Sequence, residues 1–84
     1  METIDIHGFT LKYDLGALGS AGRVAVSHLR EKVDKEEAED LFNNARRDSD
    51  LTSRFDVHDR ELNRERKMEI LYLGDGTYRL RKAE

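Results

Sequence analysis

The first thirteen residues alternate between apolar and polar side chains with a period of two, which is typical of β-strands. Two such runs, Thr3–Ile6 and Phe9–Tyr13, flank His7 and Gly8. Glycine accepts the positive φ of a two-residue turn freely, and histidine accepts it better than most residues. The sequence therefore predicts a β-hairpin with one apolar face, in which the opposed pairs are Ile6–Phe9, Asp5–Thr10, Ile4–Leu11 and Thr3–Lys12.

Glycines at positions 16, 19 and 22 follow this hairpin, and glycine disfavours a helix. We therefore predict a loop after Tyr13 that ends at Ser20, the N-cap of a first helix. This helix should run to about Lys32, and its inward arc should consist of Ala21, Val24, Ala25, His28 and Leu29.

A second helix is predicted after Asp34, which stands at an N-cap with Glu37 three residues later, as in a capping box. Arg46 and Arg47 follow at the other end, where cations favour the helix dipole. The predicted buried stripe of this helix consists of Ala38, Leu41, Phe42 and Ala45.

Alternation with a period of two returns in the last third of the chain. It predicts strands from about Ser53 to His58, from Lys67 to Leu73 and from Thr77 to Lys82, with a polar turn at Arg60–Arg64 between the first two.

The register of the last hairpin has two sensible solutions. A three-residue loop at Gly74–Gly76, with glycine at its left-handed position, gives the pairs Tyr72–Tyr78, Ile70–Leu80 and Glu69–Arg81. A two-residue loop at Asp75-Gly76 gives instead the pairs Leu73–Tyr78, Leu71–Leu80 and Glu69–Lys82.

These elements occur in the order β-β-α-α-β-β-β within a chain of 84 residues, which has room for one hydrophobic core. We therefore predict a single α+β domain over residues 1–84. Two helices packed on one face of a small antiparallel sheet would bury all the apolar stripes, while the strand order stays open.

Composition narrows the class of protein. Apolar residues make up 37% of the chain and charged residues 39%, and there is no cysteine, so neither a disulfide nor a thiolate metal site can form. The opening residues lack the basic and apolar regions of a signal peptide, and no apolar run has the length of a membrane span. We expect a cytoplasmic location and no contact with a membrane.

The sequence contains no strong signature of an active site or a metal site. The glycines spaced three apart match neither the Rossmann nor the P-loop pattern, and His7, His28 and His58 lack metal-ligand spacing. Asp48–Asp59 begins like a calcium loop but has serine at position six and aspartate at position twelve. We expect no enzymatic activity, no cofactor and no metal.

Charge is distributed unevenly along the chain. The formal net charge is −3, but residues 1–45 carry 5 basic and 9 acidic side chains, whereas residues 46–84 carry 10 basic and 9 acidic ones. The basic residues near the C-terminal hairpin are candidate nucleic-acid contacts, with Tyr72 or Tyr78 stacking on bases. The candidates are Arg64, Arg66, Lys67, Arg79, Arg81 and Lys82.

The stretch Leu73-Gly-Asp-Gly-Thr-Tyr-Arg-Leu80 is similar to the wing of winged-helix DNA-binding domains. This resemblance implies that the hairpin contacts DNA. It covers the hairpin alone, because residues 50–65 have no helical stripe of the kind that a recognition helix needs.

These observations predict a small non-enzymatic interaction module that binds another macromolecule, in the first place a protein, as accessory proteins of bacteria or their phages do. The alternative is a nucleic-acid-binding protein that uses the basic C-terminal hairpin. Binding through an exposed sheet face or an edge strand is expected, and an open edge also allows a homodimer in place of a monomer.

Overall fold

A computed structural model describes residues 1–84 and confirms the predicted α+β class and element order. Two helices pack against a five-stranded sheet. The elements are β1 (Glu2–Ile6), β2 (Phe9–Tyr13), α1 (Leu15–Glu31), α2 (Lys35–Arg47), β3 (Thr52–Asp59), β4 (Arg64–Tyr72) and β5 (Thr77–Lys82).

The strand order is β1-β2-β5-β4-β3, so the two hairpins meet where β2 lies beside β5. That pair is parallel, and the other three pairs are antiparallel. The sheet is therefore mostly antiparallel but mixed, and β1 and β3 form its two edges.

The N-terminal hairpin has the predicted register and turn. Ile6 lies opposite Phe9, and Ile4 lies opposite Leu11. The φ angles of His7 and Gly8 are 50° and 94°, so both central residues have the positive φ that a type I′ turn requires.

The C-terminal hairpin adopts the three-residue loop. Tyr72 pairs with Tyr78, and Ile70 pairs with Leu80, so the alternative two-residue loop is wrong. Gly76 has a φ of 87°, in the left-handed region that favours glycine. The strand β4 begins at Arg64, three residues earlier than predicted, because its first residues pair with the end of β3.

The predicted loop after Tyr13 is wrong, because α1 already begins at Leu15. Asp14 is its N-cap and accepts a hydrogen bond from the Gly16 N–H at 3.0 Å. The helix kinks at Gly19, whose φ of 63° and ψ of −144° are not helical. Ser20 is therefore not an N-cap, and its hydroxyl donates instead to Asp59 across the molecule, at 2.9 Å.

The second helix follows its prediction. Asp34 caps it by accepting a hydrogen bond from the Glu37 N–H at 2.8 Å, and Phe42 is fully buried. The Phe42 ring stacks on Phe9 at a centroid distance of 4.7 Å and meets Tyr78 edge-on at 4.8 Å. This aromatic cluster joins α2 to the middle of the sheet.

The helices cover one face of the sheet, and the side chains that point to them form the core. The opposite face, which we call the open face, carries on neighbouring strands a row of residues in register: Thr3, Lys12, Arg79, Leu71 and Thr52. Neither helix combines the length and the apolar character needed to cross a membrane.

Candidate binding surface

The six basic residues that were predicted to contact nucleic acid do not form one patch, because the alternation of side chains along the strands divides them between the two faces of the sheet. Arg79, Arg81 and Lys67 lie on the open face. The other three lie on the helix-covered side, as their register partners on the neighbouring strands show: Arg64 with Asp59, Arg66 with Val57 and Lys82 with Met68.

Arg66 is buried among acidic groups. Its guanidinium donates to Asp59 at 3.1 Å and to Glu84 at 2.7 Å, and the side chain is 8% exposed. Arg64 lies 4.0 Å from the same Glu84 carboxylate. Arg66 therefore holds the fold together and is not free to contact phosphate.

The carboxylate of Asp59 is the centre of this network and is fully buried. Burial acts to raise the pKa of Asp59, but hydrogen bonds from Ser20, from the Leu62 and Glu61 backbone N–H groups and from Arg66 outweigh it. The pKa consequently lies below its usual range, and the carboxylate is charged at neutral pH.

A second ion cluster lies on the open face between β5, β4 and β3. Arg81 donates to Glu69 at 2.7 Å, and Arg54 approaches the other oxygen of the same carboxylate at 3.6 Å. One acid thus serves two cations, which leaves this cluster with a net positive charge.

Lys12 and Arg79 form the least compensated part of the open face. They are register partners on β2 and β5, and no carboxylate lies within 4.0 Å of either side chain. Like charges directly opposite each other on a sheet are destabilising. The charge of Lys12 contributes to the lowered pKa of Asp75, but neither cation forms an ion pair with a carboxylate, so an anionic group supplied from outside would be favoured here.

A groove of about 620 Å³ adjoins this pair. Open-face side chains line one part of it, namely Leu71, Leu73, Arg79 and Arg81, and the remainder is lined by Asp14, Ala17, Leu18, Leu80, Lys82 and Glu84. Leu73 is 39% exposed, so part of its side chain is accessible from this groove. The surface therefore combines two cations that form no ion pair, Lys12 and Arg79, with accessible aliphatic side chains.

Lys12 was not among the residues predicted from the sequence. Only the parallel pairing of β2 with β5 brings it beside Arg79. This contact joins residues 67 positions apart in the chain, counted from 12 to 79, and alternation within either hairpin gives no sign of it.

The structure leaves little tyrosine surface for the stacking on bases that the sequence suggested. Tyr78 is 1% exposed in the aromatic cluster, and Arg46 covers the Tyr72 ring with its guanidinium carbon 4.9 Å from the centroid. Both tyrosines point to the helix side, since they alternate with Leu71 and Arg79 along their strands. Alternation in the sequence already carried this information.

The other candidate motifs have structural roles. The Asp48 carboxylate accepts hydrogen bonds from the backbone N–H groups of Asp50 and Thr52, whereas Asp59 lies in the buried network. His7 bonds to the Val33 carbonyl at 2.8 Å. No group of three or more acidic or histidine side chains is arranged to hold a metal ion. Residues 50–65, where a winged-helix domain would have its recognition helix, contain the strand β3, so the resemblance stays limited to the hairpin.

A further groove of about 450 Å³ lies between α1 and the edge strand β3. Arg23 and Glu61 pair across its wall at 3.3 Å, and the ring of His28 stacks on Phe55 at 6.2 Å. One ion pair and one stacked ring of this groove thus already have partners within the protein.

Comparison with known proteins adds no assignment. No family model matches the chain, and no similar protein was found among curated sequences or solved structures.

Proposed function

We propose that this protein is a non-enzymatic binding module that recognises an acidic, leucine-containing segment of another protein with the open face of its sheet. The proposal rests on one observation: Lys12 and Arg79 form no ion pair with a carboxylate, and Arg79 lines a groove together with Leu71 and Leu73. Such a surface favours carboxylates at its rim and aliphatic side chains in its groove.

The composition of the open face favours a protein over a nucleic acid as the partner. All the phenylalanine and tyrosine side chains of the strands lie on the helix-covered side, so none is available to stack on bases. Leucines can pack against a peptide, but they give no planar platform for a base.

A non-enzymatic role is supported by the state of the titratable groups. The carboxylates whose pKa is lowered, at Asp48, Asp59, Asp75 and Glu84, all accept hydrogen bonds that stabilise turns or the buried network. Their shifts have a structural cause, so they do not indicate a catalytic centre. The absence of cysteine supports a cytoplasmic setting for the module.

A peptide titration tests the proposal. The probe is a peptide of alternating glutamate and leucine, compared with one in which lysine replaces every glutamate, and binding is followed by calorimetry. We expect the acidic peptide to bind and the lysine peptide not to bind. The Arg79→Glu variant should bind the acidic peptide at least about tenfold more weakly, because attraction between the charges becomes repulsion.

Lys32→Glu is the matched control, since it reverses an exposed charge on the helix side of the molecule. It should leave the affinity unchanged. Equal effects of both substitutions would show that only net charge matters and would overturn the proposal. Binding of single-stranded DNA at low salt, with no binding of the acidic peptide, would favour the nucleic-acid alternative instead.

A further inference from the structure

The strand β3 forms the longer of the two edges of the sheet. It spans eight residues, whereas β1 at the other edge spans five. One side of its backbone is paired with β4, and the other side has no strand beside it. An unpaired edge of this length is a template for another strand.

Two opposite charges stand at the middle of this edge, on the open face. Arg54 is 75% exposed and lies 3.6 Å from Glu69, whose other oxygen is held by Arg81. Asp56 is exposed and lies opposite Lys67 of β4, but no cation is within 4.0 Å of its carboxylate. The edge therefore presents, two residues apart, one loosely held cation and one anion that forms no close ion pair.

We propose that the protein forms a symmetric homodimer in which β3 pairs antiparallel with β3 of a second copy, with the two-fold axis at Phe55. In this register Arg54 lies opposite the partner's Asp56, and Asp56 lies opposite the partner's Arg54. Each strand then offers an opposite charge to the other, and the contacts are repeated on both sides of the axis, as two-fold symmetry requires.

The charge pattern selects this register over its neighbours. Residues that lie opposite each other on two paired strands point to the same face of the sheet. The register can therefore change only in steps that keep every side chain on its present face. Centring the pair on Arg54 would oppose two arginines, and centring it on Asp56 would oppose two aspartates. Both arrangements are destabilising. The edge strand β1 has no comparable pattern, because Asp5 is its only charged residue on that face.

The same register fits the helix-covered side. Phe55 is half-buried, with the His28 ring stacked on it, and would meet the partner's Phe55 on the axis, which buries more of its exposed part. The axis is perpendicular to the sheet, so both open faces stay on one side of a continuous sheet. This inference does not rest on the proposed function, but the dimer would present two copies of the binding surface side by side.

A charge exchange tests the interface, with the mass of the protein in solution measured by sedimentation over a concentration series. We expect the wild-type chain to reach twice its monomer mass of 9.8 kDa. The single substitutions Arg54→Asp and Asp56→Arg should each weaken the dimer by about tenfold, because two symmetric pairs become repulsive. The double substitution should restore the dimer, because it exchanges the charges.

Thr3→Arg on β1 is the matched control, and it should leave the dimer intact. Melting curves of each variant separate a loss of pairing from a loss of folding. The inference is overturned if the wild-type chain stays monomeric up to millimolar concentration. It is also overturned if the single variants dimerise normally, or if the folded double variant fails to recover.

A cysteine scan tests the register independently, since the natural chain has no cysteine. Opposed residues of antiparallel strands have Cα atoms about 4.5–5.5 Å apart, within reach of a disulfide. Phe55→Cys should therefore cross-link to its own copy on mild oxidation. Ser53→Cys should not, because its copy lies about 13 Å away along the strand. Cross-linking of both variants to the same extent, or of neither, would overturn the register.

Discussion

At the scale of single residues, the buried pair of Asp59 and Arg66 connects α1, β3, β4 and the C-terminal residue through one hydrogen-bond network. Asp59 is the last residue of β3, and its carboxylate accepts a hydrogen bond from the Ser20 hydroxyl beside the kink of α1. Arg66 on β4 donates to Asp59 and also to Glu84. Every buried polar side-chain atom of the protein has a hydrogen-bond partner. Removing one member of such a pair is costly, because the other remains buried and charged.

We therefore predict that Asp59→Asn lowers the melting temperature by at least about 5 °C at neutral pH. The amide keeps the shape of the side chain but removes the charge that Arg66 needs. Circular dichroism during heating measures the effect. Glu61→Gln, an exposed change in the same turn, should shift the melting temperature by less than about 2 °C. Equal melting of both variants and the wild type would disprove a stabilising role for the pair.

The sequence identified Arg66 as basic but could not show that it is buried. Alternation places it on the same face as Met68, and that was the available signal. Its acidic partners come from other elements, so only the tertiary structure reveals the pairing.

At the scale of elements, α1 shows how packing overrides intrinsic propensity. The three glycines predict a loop, yet residues on both sides of Gly19 are helical. Gly22 lies against Leu18, and a Cβ atom added at position 22 would lie only 2.5 Å from the Leu18 Cβ. The glycine thus allows the turn before the kink to fold back closely on the rest of the helix.

We predict that Gly22→Ala destabilises the protein by about 1–3 kcal/mol, although alanine is the better helix former by about 1 kcal/mol. The added methyl group meets the rigid base of Leu18 and cannot be accommodated without a shift. Urea denaturation measures the change. Ser27→Ala at an exposed position of the same helix should stay within about 0.5 kcal/mol of the wild type. A Gly22→Ala variant as stable as the control would contradict this packing.

Most of the elements were predictable because their signals are local. Alternation and turn residues specified the N-terminal hairpin, and the capping box specified α2. The parallel pairing of β2 with β5 was not predictable, since it depends on how the two hairpins dock. The candidate surface at Lys12 and Arg79 was hidden for the same reason.

At the scale of the whole molecule, four carboxyl groups make the free energy of unfolding depend on pH. Hydrogen bonds from Thr52 lower the pKa of Asp48, and those from Thr77 lower the pKa of Asp75. The Arg66 guanidinium lowers the pKa of Glu84, and the pKa of Asp59 is lowered within the same network. All four groups bind protons more readily in the unfolded chain than in the folded protein.

The melting temperature should therefore be nearly constant between about pH 7 and pH 5 and fall below about pH 4. The stabilisation is complete at a pH above the pKa values that these groups have in the unfolded chain. It is lost as the pH falls through the lower pKa values that they have in the folded protein. Melting curves across this range provide the measurement. The curve of Asp59→Asn should be flatter in acid, because one of the four groups is missing. A melting temperature that rises on acidification would contradict the sign of these shifts.

The most direct measurement of the proposed function maps binding onto the sheet by nuclear magnetic resonance. Amide signals are followed as the alternating glutamate–leucine peptide is added to the isotope-labelled protein. The proposal predicts that the shifts concentrate at Lys12, Leu71, Leu73 and Arg79 on the open face, while signals from α2 stay in place. Shifts confined to the helices, or no shifts at any peptide concentration, would contradict the assignment of the open face as the binding surface.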